Sequence, residues 1–172
     1  MRNKVIMMVP VLAILVIGLL GAQARLPMPS GQEAREKIEG AEKFLKKKEP
    51  DRALVLLREV VAAEPNYAPA YFLSALACRM KEDPEQALTL LEKALQLDPG
   101  LAPAISEAAN LLNALAQEKV AQNQPEKGYG YYARIVALPG LQGFNQRLFI
   151  EALYNMGISS FQAKNHDQSE DA

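Results

Sequence analysis

The residue types that carry nucleophilic and metal chemistry are scarce in this 172-residue chain. It has one cysteine, Cys78, one histidine, His166, and no tryptophan. A single thiol cannot close an internal disulfide or supply the cysteine pair of a zinc site. Cys78 follows Tyr71 by seven residues and Ala75 by three, so a helix would place all three side chains on one face. This spacing favours core packing of the thiol over reactivity.

The remaining candidates for chemistry are equally isolated. His166 stands beside Asp167 in a polar C-terminal stretch. A Ser-His-Asp triad would have to use this histidine, which lies at the edge of the folded region. Gly140 and Gly143 lack the strand–loop–helix context of a phosphate cradle. The sequence therefore predicts no enzyme activity, no cofactor and no metal. With 19 basic and 20 acidic residues, it also lacks the basic excess expected of a nucleic-acid partner.

The N-terminal stretch has the charge pattern of a membrane-targeting segment. Arg2 and Lys4 precede an uncharged run from Val5 to Ala24, VIMMVPVLAILVIGLLGAQA. As a helix this run would be about 30 Å long, which matches the hydrocarbon core of a bilayer. The basic residues before it predict a cytoplasmic N-terminus. We interpret residues 1–24 as a signal anchor, which makes a single pass of a bacterial inner membrane and leaves the C-terminal domain in the periplasm.

Two other interpretations of this stretch remain open. Ala22 and Ala24 form the A-x-A pattern of a signal-peptide cleavage site, so cleavage near Ala24 would give a periplasmic or secreted protein. A buried core helix is disfavoured because the run is apolar on every side. Residues 25–32 are expected to be a linker, since Pro27 and Pro29 prevent a regular helix there.

Two stretches of the chain are related by a shift of 34 residues. Residues 49–72, EPDRALVLLREVVAAEPNYAPAYF, align with residues 83–106, DPEQALTLLEKALQLDPGLAPAIS, and nine of the 24 pairs are identical. Three of the identical pairs are prolines, which can end one helix and open the next: Pro50 with Pro84, Pro65 with Pro99, and Pro69 with Pro103. A fixed period in this range predicts a solenoid of repeated helix pairs.

Each unit is predicted to contain two helices. The first helices cover about 33–47 and 70–80, and the second helices about 51–63 and 85–97. A third copy at residues 125–140 lies seven residues later than the period requires, so its first helix, about 104–122, is longer by nearly two turns. A partial fourth copy begins near Phe149 and stops after its first helix. The predicted solenoid spans residues 33–164, and a polar tail follows at 165–172.

The period, the small residue early in each second helix and the proline after it resemble the tetratricopeptide repeat (TPR). The run LYNMG at residues 153–157 is similar to the aromatic-asparagine-leucine-glycine run of that family. The family's tryptophan is absent, and its glycine is retained only at Gly157, whereas the earlier units hold Ala41, Ala75 and Ala109. The resemblance implies an all-α fold, a TPR-like α-solenoid after an N-terminal transmembrane or signal helix.

The resemblance also implies that the first helices line a concave groove that binds a peptide or helix of a partner protein. The candidate groove residues are Ile38, Leu45, Phe72, Leu76, Met80, Asn110, Asn113 and Tyr154. Phe72, Leu76 and Met80 recur at intervals of four, beside the expected core face of their helix. Some members of the family hold a terminal carboxylate with a lysine and asparagine clamp. Ile38 stands where that clamp would need the lysine, so binding of that kind is not expected.

These features together predict a non-catalytic scaffold or adaptor at the cell envelope. Its partner would be a protein or peptide, and its N-terminal helix would hold it to the membrane. One alternative is a structural subunit of a larger membrane or envelope complex, because the helix of the incomplete fourth unit could dock a neighbour. Another is an accessory module of an enzyme, which the shortage of catalytic residue types disfavours.

Overall fold

The computed structural model describes residues 26–170, and all regular structure in that range is helical. The helices are α1 Gln32–Lys46, α2 Pro50–Ala63, α3 Ala68–Met80, α4 Pro84–Leu97, α5 Ala102–Ala121, α6 Pro125–Val136, α7 Leu141–Phe144 and α8 Gln146–Glu170. The segment interpreted as a signal anchor or signal peptide lies outside the described residues. Within 26–170, no helix combines the length and apolar character that crossing a membrane requires.

The helices pack as consecutive pairs. α1 packs on α2, α3 on α4, and α5 on α6, while α2 contacts α3, α4 contacts α5, and α6 contacts α8. Each pair therefore touches mainly its neighbours along the chain, which is the arrangement of a solenoid. The predicted all-α repeat architecture is confirmed, and the bounds predicted for the first five helices agree with the structure to within two residues.

Prolines define where the second helices begin. Pro50, Pro84 and Pro125 are the first residues of α2, α4 and α6. Proline suits this position because its fixed φ is already helical and its missing N–H would have no partner in the first turn. The start of α4 is also capped, since Asp83 Oδ1 accepts a hydrogen bond from the Gln86 N–H at 3.0 Å.

The turn inside each pair repeats the same backbone conformation. Lys48, Glu82 and Asn123 have φ of 60°, 61° and 59°, in the left-handed region. In each case the next residue donates its N–H to a carbonyl in the last turn of the preceding helix, at 2.9–3.0 Å, which satisfies a helix-terminal acceptor: Glu49 to Phe44, Asp83 to Cys78 and Gln124 to Lys119. The three units therefore share one turn although their turn residues differ.

Small residues let the two helices of a pair approach closely. Ala53, Ala87 and Gly128 occupy equivalent positions near the start of α2, α4 and α6, and all three are buried. A Cβ on Gly128 would lie 2.5 Å from Val120 Cγ2 and 3.2 Å from the backbone oxygen of Ala116. The extended C-terminal part of α5 therefore packs against α6 where only glycine fits without a shift.

The C-terminal region departs from the sequence prediction in two ways. A short helix, α7, follows Gly140, whose φ of 68° suits glycine. In addition, α8 continues to Glu170, so the polar tail expected from residue 165 begins as part of the helix. No proline or glycine follows Gly157 to interrupt the helical backbone.

Candidate functional site

The first helices of the successive units, α1, α3, α5 and α8, form one side of the solenoid, which we call the first-helix face. α1 contacts α3, and α5 contacts α8. α3 and α5 are joined by an ion pair, in which Arg79 Nη1 lies 2.8 Å from Glu107 Oε1. The face is therefore continuous from the first unit to the last.

Six of the eight predicted groove residues have exposed surface on this face. Tyr154 is 69% exposed. The other five are half-buried: Leu45, Leu76, Met80, Asn110 and Asn113. The first-helix face thus presents apolar side chains on α1 and α3 and amides on α5. Whether these six residues bind a partner remains a prediction.

The other two predicted groove residues, Ile38 and Phe72, belong to the core. Their exposed fractions are 1% and 4%, so neither offers surface to a partner and their assignment to the groove is corrected. On α3 the neighbouring Tyr71 is the half-buried residue, and its hydroxyl donates to the Pro65 carbonyl at 2.9 Å. A tyrosine needs a partner for its hydroxyl, whereas Phe72 has no polar atom and packs inside.

A buried carboxylate lies beside this face. Glu107 is 1% exposed, and burial raises the pKa of its carboxyl, while the Arg79 guanidinium opposes that rise. Neither carboxylate oxygen accepts a hydrogen bond from the described residues, so the 2.8 Å contact is a charge contact without hydrogen-bond alignment. Arg79 keeps a third of its side chain exposed. The pair therefore links α3, at the residue just before Met80, to α5.

Glu107 was not identified from the sequence as a residue of this face. A signal was available, because Glu107 is three residues after Ala104 and four before Leu111, inside the apolar stripe of α5. A charge in such a stripe predicts a partner from a neighbouring helix. The identity of that partner could not be predicted, since Arg79 is 28 residues away in another unit.

The described N-terminal residues bind the first unit as an extended strap, residues 26–31. Leu26 packs against the core, and the Pro27 carbonyl accepts a hydrogen bond from the Tyr67 hydroxyl. The Ser30 and Gly31 N–H groups donate to the Glu64 carboxylate at 3.2 and 3.1 Å. These N–H donors lower the pKa of Glu64. Burial, assisted by neighbouring carboxylates, raises the pKa of Tyr67 to about 12.

The last helix exposes a large apolar surface, which we call the α8 stripe. Its members are Ile150, Leu153, Tyr154, Ile158 and Phe161, with exposed fractions from 39% to 69%. Gly157 lies among them, and a Cβ added there would meet nothing within 4 Å. The equivalent residues of the earlier first helices, Ala41, Ala75 and Ala109, are at most 1% exposed.

Comparison with known proteins agrees with this geometry. Residues 68–101, which contain α3 and α4, match the family model described as tetratricopeptide repeat. The TPR2B domain of yeast Sti1, solved in a complex with pHsp70, is similar over 72% of this chain and 98% of its own, with 18% identity and a TM-score of 0.51. The MamA RS-1 ArsTM double mutant is similar over 81% and 99%, with 18% identity and a TM-score of 0.48. No curated protein matches the sequence.

Helix pairs stacked at a fixed period, with a continuous face of first helices, define an α-solenoid. The family match and the shared fold identify its repeats. Residues 68–101 resemble one tetratricopeptide repeat, and the shared helical fold agrees with that match. Proteins of this family are generally non-catalytic interaction modules that bind other proteins.

Proposed function

We propose that this protein is a non-catalytic scaffold or adaptor that binds a peptide or helix of a partner protein on its first-helix face. The observation that carries this function is the cluster of Leu76, Arg79 and Met80, which lie half-buried at the C-terminal end of α3. Their surface is accessible, unlike that of Phe72, and it combines apolar area with a cation.

The side chains of the cluster suggest which kind of partner segment would bind there. Leu76 and Met80 would bury an apolar side chain, and methionine adapts its shape to different partners. The Arg79 guanidinium lies 2.8 Å from the Glu107 carboxylate without an aligned hydrogen bond between them. A carboxylate on the ligand would give the guanidinium a hydrogen-bonded partner. We therefore propose a segment with an apolar anchor flanked by an acidic group.

The strap at residues 26–31 supports this mode of binding. An extended, proline-containing segment already lies against the first unit, with its backbone N–H groups and a carbonyl bound by side chains of Glu64 and Tyr67. Side chains of this solenoid thus recognise extended backbone. A partner peptide on α3 and α5 would use the same kind of contact.

The test is site-specific photocrosslinking of the full chain in its native membranes. A crosslinker at position 76 should capture a partner, and Leu76→Glu should weaken capture at least tenfold in a quantitative pull-down. Leu90→Glu is the matched control, because Leu90 is also a half-buried leucine that packs on the core, but lies on the second helix of the same unit. Circular dichroism should show equal helix content in both variants. Equal capture by both variants would contradict binding on the first-helix face.

The site of action is proposed from the N-terminal sequence. Residues 5–20 would hold the protein in a bacterial inner membrane, with the solenoid in the periplasm; cleavage near Ala24 would instead release it. A reporter enzyme that works only in the periplasm, fused after Ala172, should be active, whereas activity of a strictly cytoplasmic reporter would refute this topology. Mass spectrometry of the purified protein then distinguishes a retained anchor from a cleaved signal peptide. Cleavage would leave Arg25 as the first residue.

A second candidate function is favoured by the α8 stripe. A structural subunit of a larger complex would keep such a surface permanently covered. In that case the chain purified without the rest of the complex should aggregate. An adaptor should instead remain dispersed when it is purified without its partner.

A further inference from the structure

The α8 stripe is larger than the scattered apolar exposure of an ordinary surface. Its five side chains expose apolar area of about 500 Å² in one continuous strip, within the range where such patches often have a function. Their spacing of three and four residues places them on a single side of the helix. The opposite side of α8 packs on α6, since Ala152 and Ser159 are buried.

The position of Gly157 indicates what kind of element fits the stripe. At the equivalent positions, Ala41, Ala75 and Ala109 are buried, and in each of their units a second helix packs on the first. Within residues 26–170, no such helix follows α8. Gly157 leaves the backbone of α8 bare at this point, with open space beyond it. The stripe is therefore shaped for a helix that approaches closely.

We infer that a second copy of this chain covers the stripe, with the two α8 helices antiparallel about a two-fold axis. The stripe is symmetric about the point between Asn155 and Met156. In the antiparallel pair Ile150 lies opposite Phe161, and Leu153 lies opposite Ile158. Tyr154 of each copy lies opposite Gly157 of the other, so an exposed ring meets the notch that lacks a side chain. A self-complementary patch of this kind is what a two-fold interface requires.

The area available is at the lower end of what specific interfaces bury. The two stripes together bury about 1,000 Å² from these side chains alone, which reaches the lower bound for a specific interface. The aromatic side chains Tyr154 and Phe161 supply the largest share, as is usual where a few residues dominate binding. This dimer does not depend on ligand binding at Leu76 and Arg79, which lie on another unit.

The first experiment measures self-association of the full chain in density-matched detergent by sedimentation equilibrium. The wild type should form a dimer, and Ile150→Glu should raise its dissociation constant at least tenfold. Val55→Glu is the matched control, because Val55 is 55% exposed on α2 and Ile150 is 56% exposed on α8. A wild type that is monomeric at every concentration overturns the dimer. A dimer whose dissociation constant is unaffected by Ile150→Glu also overturns the proposal, because it would locate the association in another segment.

The second experiment tests the register with two differently tagged copies, one carrying Tyr154→Cys and the other Gly157→Cys. Mild oxidation should form the mixed disulfide at least tenfold faster than for Tyr154→Cys mixed with Val55→Cys. The native Cys78 is buried and serves as the internal background. Absence of any preference for the 154–157 pair overturns the antiparallel two-fold arrangement and indicates a helix of a different protein as the occupant.

Discussion

The two ends of the solenoid finish in opposite ways. At the first end, Lys37 of α1 bridges Glu33 and Glu59 at 2.6 and 2.9 Å, and the strap at residues 26–31 binds Glu64. At the last end, α8 presents apolar side chains and a bare glycine. Terminal units of a solenoid need a polar outer face to remain soluble. The first end meets this need with its own side chains, whereas the last end presents the α8 stripe, which we infer a second copy covers.

The largest effect is expected where glycine is covered. Gly128→Ala should lower the free energy of unfolding by about 1–3 kcal/mol, because the new Cβ would overlap Val120 and crowd the Ala116 carbonyl. Gly157→Ala should raise it by about 0.5–1 kcal/mol, since alanine favours the helix and meets no neighbour. Chemical denaturation at a dilution where the chain is monomeric measures both. Equal changes at the two positions would refute the contrast between covered and uncovered helices.

The pH dependence of stability should also differ between the interior and the first end. Below pH 4.5, the ordinary pKa of a glutamate carboxyl, Glu107 is protonated in both the folded and the unfolded chain. As pH rises, the unfolded chain ionises first, so stability is lost until pH passes the raised folded pKa. Glu107→Gln should flatten this loss in urea denaturation from pH 4 to 7. Glu126→Gln, at an exposed residue of α6, is the control for the substitution itself.

Glu33 and Glu64 at the first end should behave oppositely. Their pKa values are lowered by Lys37 and by the strap N–H groups, so their contribution is present above pH 4.5 and is lost as pH falls through the lowered values. The strap should therefore detach in acid before the core unfolds. Proteolysis within residues 26–31 that is no faster at low pH, measured with an acid-active protease, would contradict this.

The smallest effect is expected at the turns inside the pairs. Glu82→Gly should stabilise the fold by about 0.5 kcal/mol, because a residue with a Cβ is strained at φ of 61°. Asn123→Gly should gain less, since asparagine tolerates the left-handed region. Thermal unfolding of the two variants compares them. A larger gain at Asn123 would show that the turns of the second and third units are not equivalent.

Local constraints made much of the fold predictable. A proline restricts the backbone only within one helical turn. The starts of the second helices could therefore be predicted from the positions of Pro50, Pro84 and Pro125. The side that each first helix turns outward was less predictable. Ile38 and Phe72 were expected at the groove, but both are buried in the core. Because Tyr71 and Phe72 differ mainly by a hydroxyl, periodicity alone did not reveal which of them would lie at the edge.

Hydrogen exchange of the full chain, followed by mass spectrometry over a range of protein concentrations, tests the contrast between the two ends most directly. In dilute solution, residues 150–161 of α8 should exchange faster than the covered helix α3. As the concentration rises, protection should increase at 150–161 and stay constant in α1 and the strap, because only the last end gains a covering helix. Protection of α8 that is independent of concentration, or that rises equally at both ends, would contradict the account.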